Sequence, residues 1–161
     1  MNSLLRIPDG IEIGVLSRDK VLEMWDKVKN HAPLFDDTSR WNVEWFAFRL
    51  YVRDTIVLES DGGMMLLTDL KPGHCAACHL TYWDKGLSRR TEMIRDAIRW
   101  AFLQFRLTRL ETHLPEYARA VRRFIEKKLG FKFEGRLRKR LMYKGNPADL
   151  LLYGLLREEV L

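Results

Sequence analysis

Hydrophobic positions along this chain switch between a period of two and a period near 3.6, and the switches mark its elements. Ile11-Glu12-Ile13-Gly14-Val15 alternates and predicts a strand. Ser17 is placed as an N-cap, and Val21, Leu22, Trp25 and Val28 then recur at helical spacing. Thr38 or Ser39 opens a second helix through Val43, Trp45, Phe46, Phe48 and Leu50. Three strands follow, Thr55–Glu59, Met64–Thr68 and His74–Trp83, separated by turns at Asp61-Gly62-Gly63 and Lys71-Pro72-Gly73. From Arg89 to Phe105, the residues Ile94, Ala97, Ile98, Ala101, Phe102 and Phe105 fall on one helical face. Leu110–Leu114 reads as a strand ending at Pro115, and Tyr117–Leu129 as a basic helix with Val121, Phe124 and Ile125 inward. Gly130 suits the left-handed position after that helix. Lys132–Tyr143 and Asp149–Arg157 close the chain as strands, with Lys144-Gly145-Asn146-Pro147 between them. The predicted order is βααβββαβαββ, an α/β (α+β) arrangement. No repeat or Pro/Gly/Ser-rich linker interrupts it, so residues 1–161 are expected to form a single domain.

Charge sharpens this picture. The chain carries 28 Lys/Arg and 22 Asp/Glu, net +6. Residues 85–144 hold 18 of the basic and 6 of the acidic residues, so the rest of the chain is net acidic. Such asymmetry points either to a solvated basic face or to a polyanionic ligand or partner, and the cluster 119–144 is the candidate surface for DNA or an acidic protein. No apolar run reaches the ~18 residues of a membrane span, so no membrane partner is expected. Residues 1–10 contain one basic residue, Arg6, and no apolar core of a signal peptide. The expected location is cytoplasmic, or inside a virion, with reduced cysteines.

Two motifs invite metal or haem chemistry and do not support it. Cys75-Ala76-Ala77-Cys78-His79 matches a haem-attachment pattern but falls in a predicted strand with no export signal. Zinc held by His74, Cys75, Cys78 and His79 would need adjacent strand residues, which point to opposite faces, to converge on one ion. Neither metal nor haem is expected. Most of the Trp and Phe residues fall at core spacing, although Trp41 and Trp45 could border an acceptor pocket.

The run Leu129-Gly130-Phe131-Lys132-Phe133-Glu134-Gly135, continuing to Asp149 and Tyr153-Gly154-Leu155-Leu156-Arg157-Glu158-Glu159, resembles the C-terminal half of the GNAT N-acetyltransferase superfamily. The resemblance is nearest to its branch that acetylates protein N-termini, whose pattern reads roughly KxGFxxEGxxR…G…D…YgLLrxE. It implies the GNAT fold, a mixed, mostly antiparallel sheet of about seven strands flanked by about four helices. It also implies acetyl-CoA as co-substrate, with pantetheine along the fourth strand and pyrophosphate on the loop before the next helix, where free N–H groups favour an anion. The matching residues are Trp83, Lys85, Gly86, Leu87, Ser88, Arg89 and Arg90, followed by Thr91-Glu92. Gly86 keeps the first small position of the family's Gln/Arg-x-x-Gly-x-Gly/Ala loop. Ser88 replaces the second, Trp83 replaces the Gln/Arg, and Asp84 adds a negative charge. The family's helix-borne Asn and Tyr positions are Arg119 and Glu126 here.

Candidate catalytic groups are therefore His79 on the fourth strand as base, Glu134 in the matched motif, and Tyr117 as the nearest spare phenol, with Glu59 and Asp149 as further carboxylates. Each also has a purely structural reading. The resemblance implies direct attack of a primary amine, on a protein N-terminus or a small molecule, on the acyl-CoA thioester, and a homodimer through the C-terminal strands. The run Tyr82-Trp83-Asp84 looks like that of bacteriophage-encoded relatives. With the altered loop, it implies an alternative: a non-catalytic virion or assembly component on the same scaffold.

Overall fold

The computed structural model describes residues 11–14, 17–29, 37, 43–51, 55–60, 62–82 and 90–161. The elements are β1 (Ile11–Gly14), α1 (Arg18–Val28), α2 (Val43–Tyr51), β2 (Ile56–Ser60), β3 (Gly63–Lys71), β4 (Cys75–Tyr82), α3 (Arg90–Gln104), β5 (Arg109–Pro115), α4 (Arg119–Phe124), β6 (Lys132–Tyr143) and β7 (Asn146–Leu156). Their order is the one the periodicity predicts. The strands form one seven-stranded sheet in the order β1-β2-β3-β4-β5-β7-β6. All neighbours are antiparallel except β4 and β5.

Strand alternation sends adjacent residues to opposite faces and so divides the core in two. On one face Val57, Met64 and Leu66 pack under Val21, Met24 and Val28 of α1, with Phe46 and Ala47 of α2 alongside. On the other, Leu58, Met65, Leu67, Ala76 and Cys78 pack under Ile94, Ile98, Ala101 and Phe102 of α3. Ile125 and Leu129 extend that second core over Leu151, Tyr153 and Leu155 of β7. The Ser17 hydroxyl caps α1 by accepting the Lys20 N–H at 3.1 Å. Glu59 faces α1 and pairs with Lys20 and Lys27, so this carboxylate, one of the sequence candidates, holds helix to sheet.

Two expectations need correction. The basic helix does not run as one α-helix over Tyr117–Leu129: α4 spans Arg119–Phe124, and Ile125–Leu129 is wound as a π-turn. Tyr117 lies in the turn before it. The wider turn ends at Gly130, whose φ of +83° is the left-handed conformation the sequence predicts. The last strand starts at Asn146, not Asp149, because Lys144 (φ +52°) and Gly145 (φ +74°) alone make the two-residue hairpin turn. Pro147 is accepted in β7 because, among the described strands, β6 alone pairs with it there; β5 pairs with β7 from Leu150 onward.

β7 is paired on both edges over Leu150–Leu156, so a homodimer through the C-terminal strands finds no free edge on that part of β7. Gly154 lies beneath an ion pair that crosses it. The Arg109 guanidinium of β5 donates through both terminal nitrogens to the two Glu134 oxygens of β6, one at 2.7 Å. A Cβ on Gly154 would meet Glu134 Oε1 at 2.2 Å. The Arg109 charge holds the Glu134 carboxyl below its usual range. The unfolded chain thus takes up this proton first. The pair's stabilisation is present above about pH 4.3 and fades as pH falls through the folded value.

Substituting Gly154→Ala should lower unfolding stability by about 1 kcal/mol, mostly by swinging Glu134 off Arg109. In a Glu134→Ala background the same substitution should cost less, because only the tip of the Arg109 side chain, which a Cβ would meet at 2.6 Å, then has to move. Urea melts of the four proteins of this double-mutant cycle at pH 7 provide the measurement.

Candidate functional site

The parallel pair at the middle of the sheet is incomplete. Cys75–Ala77 pair with Arg109–Glu111, and the ladder stops there. β4 continues to Tyr82 with its other edge still on β3, and β5 continues to Pro115 with its other edge still on β7. The two strands therefore part beyond Ala77 and present facing rows of backbone N–H and C=O groups that do not pair with each other. Buried backbone groups need partners. An extended ligand carrying amides can supply them by lying along β4 as an extra strand.

Side chains around this opening follow from the register. His79 pairs across the ladder with Leu66, so it faces the α1 side of the sheet, and its Nε2 lies 3.4 Å from Thr68 Oγ1. Counting on from Ala77 opposite Glu111 puts His79 level with His113 across the gap. Glu111 and His113 face the same side as His79 by strand alternation. Arg109 Nε lies 3.4 Å from Glu111 Oε2. On the opposite side, burial pushes the Cys78 thiol up to about 12, with Glu111 adding to the rise. Cys75 is half-buried. Among the described residues, no three His, Cys, Asp or Glu groups cluster to hold a metal ion.

In chain order α3 is the next described element after β4. Its first residue, Arg90, is half-buried, with its guanidinium 5.4 Å above the Phe124 ring of α4. Arg90 is thus the first residue of the helix that follows β4 in the chain. The other loop candidates, Trp83, Lys85, Gly86, Leu87, Ser88 and Arg89, lie outside the described residues, as does Trp41.

The three catalytic candidates are not brought together. His79 borders the opening. Glu134 lies three strands away from β4 in the sheet order, roughly 14 Å at the usual strand spacing, with both oxygens on Arg109. That commitment and its lowered pKa make Glu134 a clamp and a poor base. Tyr117 follows β5 at the open end of the gap, its ring stacked on Tyr143 of β6 at 3.8 Å and 15°. Asp149, the remaining carboxylate candidate, accepts the Lys139 N–H at 2.7 Å and Arg136 at 2.9 Å.

One polar pair was not foreseen. Tyr153 of β7, 1% exposed, donates its hydroxyl to Glu126 Oε1 in the π-turn at 2.7 Å. Burial, then this carboxylate, pushes the phenol up to about 12. The available signal was Tyr153 inside the alternating run Leu151, Tyr153, Leu155, whose inward polar group needs a partner from the covering helix. His113 was legible in the same way, on the polar side of β5.

This sheet, with helices on both faces and a parted β4–β5 pair, is the GNAT fold. Similar solved structures are acetyltransferases. A probable acetyltransferase is 24% identical, with 96% of this chain and 97% of that chain covered and a TM-score of 0.66. Spermidine N-acetyltransferase from Vibrio cholerae, in complex with CoA and spermine, is 16% identical over 94% and 98%, with a TM-score of 0.71. A ribosomal L7/L12 alpha-N-protein acetyltransferase in complex with coenzyme A is 12% identical over 96% and 98%, with a TM-score of 0.71. No protein-family model and no curated protein matches the sequence. Among the described residues, no helix is long and apolar enough to cross a membrane.

Thiol chemistry checks the geometry of β4. Iodoacetamide at pH 8 should label Cys75 and leave Cys78 untouched until the protein is unfolded, read by peptide mass spectrometry. Tyr153→Phe should cost about 1–2 kcal/mol in a urea melt, because it leaves a half-buried carboxylate without its donor.

Proposed function

We propose that this protein is an acyl-CoA-dependent N-acyltransferase that moves an acetyl group from acetyl-CoA to a primary amine. The observation that carries the reading is the parting of β4 from β5, on the strand that precedes α3 in the chain. Pantetheine contains two amides in an extended chain, and the exposed edge of β4 offers the complementary groups. Its pyrophosphate then falls at the start of α3, where Arg90 and the free N–H groups of the first turn favour an anion. Lys85, Gly86, Leu87, Ser88, Arg89 and Trp83 complete this candidate cofactor set on sequence grounds.

The chemistry asked of the site is modest. The amine, as free base, attacks the thioester carbonyl; backbone N–H groups of β4 stabilise the oxyanion; the intermediate collapses with loss of CoA thiolate. His79, on the α1 side of the opening, is the group placed to take the amine proton, directly or through water. Tyr117, at the open end, is the phenol available to return a proton to the thiolate. The acceptor is a protein N-terminus or a small amine, entering from the α1 side. If the enzyme is a homodimer, β6 is the C-terminal strand with an edge to offer.

A second reading is a non-catalytic GNAT-fold protein, such as a bacteriophage virion or assembly component. Its support is Glu126, which stands where the family places a catalytic tyrosine and is tied to the buried Tyr153.

Acetyl-CoA at ~100 times its dissociation constant should add about 2.7 kcal/mol and raise Tm by roughly 5–10 °C, with no rise from ATP. Gly86→Glu should abolish that rise while leaving the unliganded Tm unchanged. Absence of a shift with millimolar acetyl-CoA would refute cofactor binding. A shift without turnover on any amine would select the second reading.

A further inference from the structure

The end of the sheet opposite β1 carries a feature that acyl transfer does not use. β6 is the edge strand, and beyond the Pro115–Leu150 pair no described strand other than β6 pairs with β7, although the Glu116 N–H still donates to Asp149 O at 3.0 Å, so Leu137–Tyr143 and Asn146–Ala148 form a two-stranded ribbon past the body of the sheet. In this ribbon Leu137 pairs with Leu150 and Leu141 with Ala148, so Arg138, Lys139 and Arg140 stand opposite the single residue Asp149. Three residues against one is a bulge with two extra residues, and it pushes consecutive basic side chains outward. All three are exposed.

The bulge is held rather than loose. Lys139 sits at φ +51°, and its N–H is accepted by Asp149 Oδ1 at 2.7 Å. Asp149 Oδ2 accepts Arg136 at 2.9 Å, and the Asp149 N–H donates to Glu116 at 3.0 Å. At the tip, Asp37 accepts the Lys144 and Gly145 N–H groups at 2.9 and 2.7 Å. A left-handed lysine costs of order 1 kcal/mol, and two carboxylates hold the bulge in place. Among the described residues the side chains of Arg138, Lys139 and Arg140 are exposed and none makes a salt bridge, although the Arg138 charge acts on Asp149.

We propose that this ribbon is a binding surface for the phosphate backbone of nucleic acid, with Arg138, Lys139 and Arg140 as its contacts. Arginine forks match phosphate oxygens. A two-stranded ribbon has the width that a duplex major groove admits. A braced ribbon loses little conformational freedom on binding. A second copy of this chain is a poor occupant of the bulge itself, because two such cationic bulges would repel each other.

The test is fluorescence anisotropy with a 20-base-pair duplex from 50 to 200 mM salt, alongside polyglutamate as a second polyanion. Three phosphate contacts give a log–log salt slope of about −2.7, or roughly a 40-fold loss of affinity across that range. Arg138→Glu/Arg140→Glu, two exposed changes, should flatten the slope to about −1. Asp149→Ala separates a presented bulge from bulk charge. It removes a negative charge and frees Arg136, so bulk attraction alone predicts tighter binding, whereas loss of the Lys139 anchor predicts weaker binding. Weaker binding by Asp149→Ala with a flattened slope in the double variant supports the proposal. Absence of salt-dependent duplex binding, an unchanged slope in the double variant, tighter binding by Asp149→Ala, or preference for polyglutamate over duplex would each overturn it.

Discussion

β5 can release β4 because β7 holds its other edge. A strand that drops half of its ladder in mid-sheet would ordinarily fray or close the gap. Here Arg109–Pro115 remain paired residue for residue with Leu150–Leu156. β7 is in turn fixed by β6, by the core under Leu151, Tyr153 and Leu155, and by the Arg109–Glu134 clamp that bridges β5 and β6 over Gly154. The opening between β4 and β5 is therefore a property of the C-terminal hairpin, although neither of its strands lines it. The matched motif has a physical reading on these terms. Glu134 supplies the acid of the clamp, Gly154 the space for it, and Gly130 the left-handed turn that delivers the chain from helix to β6.

Much of this was legible in the sequence because each signal was local. Ser17 caps α1, the one-face pattern from Ile94 to Phe102 is buried as a unit, and Gly130 ends a helix with positive φ. The differences arise where a non-local term dominates. The spacing of Val121, Phe124 and Ile125 reads as plain α-helix, but Ile125 and Leu129 must both reach the β7 core while Glu126 meets Tyr153, and the last turn widens to satisfy all three. Asn146-Pro147 resembles a loop because proline is unfit for an interior strand; it cannot be known locally that β5 stops at Pro115 and leaves this stretch of β7 paired, among the described strands, by β6 alone. The candidate site was legible as a list of residue types but not as a constellation. Sequence placed His79 and Glu134 on strands, and only the sheet order separates them.

The carboxylates show how pairing decides role. Glu59, Glu134 and Asp149 are each plausible bases as isolated residues. In the fold each is spent: Glu59 on two lysines of α1, Glu134 on Arg109, Asp149 on Arg136 and the Lys139 backbone. A carboxylate held ionised by a guanidinium is a weak proton acceptor, since gaining a proton breaks the pair. His79 has its Nε2 3.4 Å from Thr68 Oγ1 and borders the gap, whereas Glu134 and Asp149 are each held by a guanidinium.

The same reasoning bears on Glu126. At the position where the resemblance expects a phenol, the chain has an acid, and the phenol arrives instead from β7. Tyr153 is inside the core and its hydroxyl donates to the Glu126 carboxylate, so the pair secures the π-turn to the sheet rather than serving a leaving group. A thiolate leaving from the opening would then rely on solvent or on Tyr117. Acyl transfer to an amine tolerates this, because a thiolate is a good leaving group near neutral pH without full protonation. The fold and the opening thus demand less of the missing tyrosine than its family position suggests, and catalysis on this scaffold hinges on whether the β4 edge and the start of α3 still take acyl-CoA.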